Sequence, residues 1–303
     1  MDFISLFSDY TFQIVALASA LLGITSGVLG SFAVLRKQSL LGDGISHSTL
    51  PGVVLAFLIT GNKNPEVLLL GALVTGLIAL FCMTSIVKNT RIKFDASLAL
   101  VLSVFFGIGM ILLTLSQKIP NANQAGLDNF IYGQASSMLK RDVIFISICS
   151  VVLLSLVAIL WKEFKLISFD PDFGKTIGLP VNALNLLLNL LIVIAIIIGL
   201  QTVGVILMSA MLIAPAVGAR QWTNKLWKMV VLSAVISSLS SIIGTMISSS
   251  ISKLSTGPVI VVCVSIFTLF SILFAPKRGV VFQIYQRKQN KVNFEKLRRG
   301  ENV

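Results

Sequence analysis

The sequence predicts an all-α polytopic membrane protein, and three observations carry that prediction. Of 303 residues, 55% are hydrophobic and only 12% charged, against about 25% charged in soluble globular proteins. Several apolar runs reach the roughly 20 residues needed to cross a hydrocarbon layer about 30 Å thick. Basic residues fall in alternate connections between the runs, the asymmetry that orients membrane helices.

Nine runs can be drawn, at about 12–35, 45–61, 66–87, 96–116, 142–161, 182–200, 203–219, 227–248 and 257–275. The second and seventh are interrupted by Pro51 and Pro215. Broken helices survive at membrane depth where protein or a cavity satisfies the freed backbone groups, so these two are where a path is expected. About nine spans result, or eight if the seventh only re-enters. Arg36–Lys37, Lys88–Lys93, Lys162–Lys175 and Arg220–Lys228 share one side if the N-terminus lies outside and the C-terminus is cytoplasmic. Lys63, Lys118, Lys140, Arg141 and Lys253 are the minority on the other side. The expected organisation is a membrane domain over 1–280 and a basic cytoplasmic tail over 281–303, solvated and close to anionic headgroups.

The first run carries Gly23-x-x-x-Gly27, a close-packing pattern of membrane helices. No Lys or Arg occurs in residues 1–11, so the basic start of a cleavable signal peptide is missing and the first run is expected to stay in the protein. On the sixth run Asn182, Asn185 and Asn189 recur at helical spacing, and the eighth is rich in serine from Ser237 to Ser250. Helix packing and path lining both fit these polar residues. The same two readings apply to Asn185, Asn189, Met208, Met211 and Pro215. The connection 117–141, with Pro120, Gly126 and Gly133, reads as partly helical outer surface. Cys82, Cys149 and Cys263 are far apart within apolar runs, as small hydrophobes would be, with no disulfide framework. The net charge of +12 belongs to loops and tail, and no aromatic–basic pattern of a nucleic-acid module accompanies it.

Two stretches carry chemistry. In Leu40–Gly52, LLGDGISHSTLPG, Asp43 and the chain's single histidine, His47, stand four residues apart. On a helix they share a face, one turn apart. Together they form a half-site for a divalent transition metal, and ionisable groups at membrane depth mark function. The structural readings are an Asp43 that caps the second helix and a His47 that packs through a hydrogen bond. In Ser168–Val181, SFDPDFGKTIGLPV, Asp170 and Pro171 read as the N-cap and first position of a short helix, and Gly178 and Pro180 as its stop. Its aromatic residues suit docking into a partner's groove or lying on the membrane interface. Gly174-Lys175-Thr176 imitates the end of a Walker A motif, but Phe169 occupies the position of the required earlier glycine, so any ATP is handled by a partner.

LGDGISHSTLPGVVLAF, SFDPDFGKTIGLPV and VGVILMSAMLIAPAVGAR, in this order and spacing, resemble the membrane permeases of bacterial ABC importers for manganese, zinc and iron, over about residues 10–280. A weaker likeness extends to vitamin B12 and siderophore permeases, which lack the Asp-x-x-x-His pair. The resemblance implies a multi-pass subunit of the bacterial cytoplasmic membrane, not itself an enzyme. It implies a second permease subunit, with a homodimer favoured, two cytoplasmic ATPase subunits and an extracellular metal-binding protein that delivers the ion. It places the metal site on Asp43 and His47, and ATPase coupling on Phe169, Asp170, Pro171, Asp172, Phe173, Gly174 and Gly178. Manganese is favoured and zinc or iron fits too, as transported substrate, with no permanently bound cofactor expected. A proton-coupled secondary transporter or channel using the same pair is the rival reading, and a metal-chelate permease with a wider path is another.

Overall fold

In a computed structural model, residues 10–61, 64–118, 138–251, 254–276 and 278–298 are described. The expected outer connection therefore falls mostly outside the described residues. Among those residues there are helices and turns and no strand. The helices are α1 (Tyr10–Leu35), α2 (Leu41–Ser48), α3 (Leu50–Thr60), α4 (Pro65–Asn89), α5 (Phe94–Ser116), α6 (Lys140–Ile159), α7 (Trp161–Phe169), α8 (Pro171–Thr176), α9 (Val181–Val203), α10 (Val205–Trp222), α11 (Leu226–Ser250), α12 (Thr256–Phe274) and α13 (Val280–Arg298). Lipid offers no hydrogen bonds to an open backbone, so a spanning chain must satisfy its peptide groups within helices.

Eight spans among the described residues are long and apolar enough to cross a membrane, with α2 and α3 together making one. The expected seventh run is helical too, as α10. It follows α9 across Gly204, whose φ of 84° breaks the helix where a side chain would be strained. From Leu207 to Gln221 every residue of α10 is buried or half-buried. The bundle thus has an inner and an outer set of helices. The most apolar stretches of α1 and α9 are each 67% buried, whereas that of α5 is only 22% buried. Phe81, Ile111, Val151 and Val262 of the outer helices are exposed, as lipid-facing side chains are.

The Gly23-x-x-x-Gly27 pattern does what membrane packing asks of it. A Cβ on Gly27 would stand 2.8 Å from the Ser233 carbonyl oxygen of α11, and one on Gly23 would stand 3.1 Å from the Ser237 backbone. At that close approach the Ser233 hydroxyl donates to the Gly27 carbonyl over 2.9 Å. Ser19 and Thr245 Oγ atoms meet at 3.3 Å one stretch further along. Ser237, Ser240 and Ser241 are buried, so these three pack within the protein. Gly52 of α3 meets the Gly71 carbonyl of α4 in the same manner.

The second run begins at Leu41, earlier than its apolar residues suggest, and bends at Thr49 between α2 and α3. Pro51 explains the bend, because it offers no N–H to the carbonyl four residues before it, that of His47. Thr75 Oγ1 on α4 reaches the Thr49 carbonyl at 3.3 Å and ties the bend to its neighbour.

The prediction is that Gly27→Ala lowers stability by about 1–3 kcal/mol through overpacking of the α1–α11 seam. Thermal melting in nanodiscs checks it, with Gly107→Ala as control, since no atom lies within 4 Å of a Cβ there.

Candidate metal-permeation site

Asp43 is the third residue of α2, and Leu40 stands at the N-cap position without a side-chain cap. The capping reading of Asp43 is thereby removed. Helical spacing brings His47 Nε2 to 3.4 Å from Asp43 Oδ1. Neighbouring helices then fix the pair from two sides. From α10, Ser209 Oγ donates to Asp43 Oδ1 over 3.5 Å. From α5, the Phe106 ring meets the imidazole edge to face, with centroids 5.2 Å apart and planes at 86°.

The glycines of α2 make these contacts possible. A Cβ on Gly42 would meet Leu212 of α10 at 3.1 Å, and one on Gly44 would meet Leu98 of α5 at 2.6 Å. Between those helices the pair stays partly open, with the His47 side chain 29% exposed and that of Asp43 49% exposed. Among the described residues no group of three His, Cys, Asp or Glu gathers anywhere. One chain therefore brings together a carboxylate and an imidazole that its own helices leave partly exposed.

The remaining expected residues divide. Met208 and Met211 are fully buried, and Met208 packs its thioether against Gly199 of α9, so both serve the core. Pro215 is buried in the interior of α10. Asn189 is buried and accepts from Arg36 Nη1 at 3.3 Å, joining α9 to the turn between α1 and α2. Burial pushes the Arg36 guanidinium down to about 10, since charge is disfavoured away from water. Asn185 is half-buried and Asn182 exposed. Cys263 is buried and Cys82 and Cys149 are half-buried, all as free thiols.

The second stretch folds as its residues suggest. Asp170 caps α8, its Oδ1 accepting from the Phe173 N–H at 2.9 Å, and Pro171 opens the helix. Gly178 ends the element with φ of 83°. Lys175 Nζ reaches Asp172 Oδ1 at 2.9 Å on the exposed side. Gly174 is buried, and a Cβ there would stand 3.1 Å from Val181 Cγ2, which seats α8 against the start of α9. Phe169, Phe173 and Ile177 are each more than half exposed. Behind them, Phe164 of α7 is fully buried, and Phe32 of α1 sits edge to face with Trp161 and Phe164 at 5.8 and 6.1 Å.

Ser209, Phe106 and this aromatic joint carry no spacing signal toward the residues they touch. A serine in an apolar run and an isolated aromatic residue are commonplace, and only the packing of distant helices gives them their places.

Residues 8–275 match the model of the ABC 3 transport family. The chain belongs to that family. It is 49% identical over 284 residues to the zinc transport system membrane protein TroC of Treponema pallidum, covering 94% of this chain and 95% of the relative. It is also 49% identical over 268 residues to the manganese transport system membrane protein MntC of Bacillus subtilis, covering 88% of this chain but 62% of that longer relative. The solved structure of PsaBC from Streptococcus pneumoniae in complex with Fab superposes with a TM-score of 0.79 at 32% identity, over 91% of this chain and 96% of the other. An inward-facing metal-chelate type ABC transporter at 15% identity and a TM-score of 0.62, over 84% of this chain and 81% of the other, shares the fold. This family member is thus a multi-pass membrane permease, a transport subunit.

Removing the cap oxygen with Asp170→Ala should cost α8 about 1 kcal/mol. Amide exchange of residues 170–177 is expected to speed up several-fold, while peptides of α7 and α9 keep their rates.

Proposed function

We propose that this permease passes divalent transition-metal ions, manganese favoured and zinc or iron next, in an ATP-driven importer. The observation that carries the reading is the Asp43–His47 pair, held 3.4 Å apart and left partly open between α5 and α10. Two ligands hold a cation poorly. A second copy about a two-fold axis supplies another carboxylate and another imidazole, making four ligands from one short sequence. Carboxylate and imidazole suit manganese and zinc alike. Without a thiolate the site stays weak enough to release its ion, as transport requires. The kinship of this chain with a zinc system protein and a manganese system protein at equal identity supports the substrate class and leaves manganese resting on the oxygen–nitrogen donor set.

Asp43 Oδ1 is shared between the imidazole and the Ser209 hydroxyl. An incoming cation takes the place of these contacts on the Asp43 carboxylate. The exposed Phe169, Phe173 and Ile177 around α8 form the surface on which a cytoplasmic ATPase subunit docks. ATP-driven closure of two such subunits pushes α8 and opens the path inward, after an extracellular metal-binding protein has delivered the ion outside. In this reading the N-terminus lies outside and the C-terminus in the cytoplasm.

His47→Ala is expected to abolish manganese and zinc uptake in vesicles loaded with ATP, with permease dimer and ATPase assembly intact on co-purification. Normal uptake by this variant refutes the site. Uptake by the wild-type chain with a proton gradient and no ATPase moves the pair to the rival role of proton relay. Phe173→Asp tests the other end: the ATPase subunit should fail to co-purify, while metal binding by the permease stays within about twofold.

A further inference from the structure

The matched family region stops at residue 275, and α13 lies beyond it. Its sequence is strongly one-signed. Residues 276–303 hold eight Lys or Arg and two Glu. Within the chain α13 packs only on the end of α12 among its printed helix neighbours, so most of its surface has no partner.

Where α13 starts is fixed by the turn before it. Arg278 Nη2 donates to Asn224 Oδ1 at 2.8 Å, in the connection between α10 and α11. Trp222 and Trp227 flank that connection and are exposed, and Lys228 Nζ lies 5.5 Å from the Trp227 ring centroid. Exposed tryptophans beside basic residues at span ends mark the level of the headgroups. Helix α13 therefore leaves the bundle at the membrane boundary.

Its first turns, like the last turns of α12, carry exposed apolar residues. Phe270, Leu273 and Phe274 are exposed on α12, and Val281, Ile284 and Tyr285 are each more than half exposed on α13. Positions 281, 284, 285 and 288 share one helical face, so the apolar stripe runs into Lys288 with Arg287 beside it. Gln283 and Gln286 occupy the other side, while Gln289 reaches back to Tyr285, its Nε2 donating to the phenolic oxygen at 2.9 Å. Apolar side chains that run into a lysine on one face, with Gln283 and Gln286 opposite, describe the first turns of a helix that lies in the interface.

We infer that α13 is a surface anchor whose apolar–basic face binds anionic phospholipid headgroups of the leaflet from which it emerges. That leaflet is the cytoplasmic one on the orientation proposed above. The anchoring itself needs no such assignment. Lysine and arginine snorkel from the apolar boundary to lipid phosphate, and each basic side chain near an anionic surface strengthens binding several-fold. An acidic face of a protein partner offers the same charge. It does not account for the exposed apolar Val281, Ile284 and Tyr285 on a helix that begins where a membrane span ends.

The test uses the full chain in nanodiscs, which present both membrane faces to solvent and make sidedness irrelevant. Amide exchange of residues 280–298 is compared in phosphatidylcholine alone and in phosphatidylcholine mixed with phosphatidylglycerol. Anionic lipid is expected to slow exchange roughly thirtyfold, an effect of two basic side chains at the surface, and high salt is expected to reverse it. Arg287→Gln with Lys288→Gln should remove the slowing, and Arg287→Lys with Lys288→Arg should keep it, with exchange in α12 unchanged in both. Equal exchange in the two lipids overturns the inference. So does slowing that appears only when an ATPase subunit is added, whatever the lipid charge. Neither result bears on His47, whose role is read by metal uptake.

Discussion

A carboxylate inside a membrane-spanning helix has to be given partners, and the inner part of this bundle is arranged around that requirement. Left alone at the centre of a bilayer, an aspartate costs about 2.5–3.5 kcal/mol on insertion scales. Asp43 has an imidazole one turn along its own helix and a hydroxyl from α10. The small residues around it follow from the same need. Gly42 and Gly44 let α10 and α5 come close enough to supply Ser209 and Phe106. Pro51 ends the regular helix just after the pair and releases the His47 carbonyl from its usual donor.

The rest of the bundle is a frame that holds this helix in position. The α1–α11 seam relies on glycine and serine rather than on large apolar side chains. In lipid, apolar surface gains little from meeting apolar surface, so close backbone contact and interhelical hydrogen bonds carry association. Large side chains instead fill the space around α9, where Leu188, Ile192, Ile196 and Leu200 are buried. The two kinds of contact divide the work between tight seams and a filled centre.

Much of this was legible in the sequence, and the physical reason is locality. Asp170, Pro171 and Gly178 act on their own backbone, so spacing along the chain reveals the helix they bound. Gly23 and Gly27 face a partner helix at a recognised period. Asp43 and His47 meet because four residues make a helical turn. Ser209 and Phe106 were not legible, for each reaches the pair from another helix through packing with no periodic trace. Met208 and Met211 stand near a broken segment and read equally well as path or core, and burial assigns them to the core. The tail reads as solvated because its average composition is polar, and its helix, α13, still exposes Val281, Ile284 and Tyr285 in its first turns.

The edge-to-face joint of Phe32 with Trp161 and Phe164 has a mechanical consequence. Isolated helices as short as α8 have no stiffness of their own, yet α8 is clamped at both ends and seated on α9. It is continued by α7 into that aromatic joint. Phe173 is thus joined through packed contacts to the last turns of α1 and to the short link that feeds α2. That chain of contacts is made of rings and one aspartate cap, and the link it reaches ends one turn before the carboxylate.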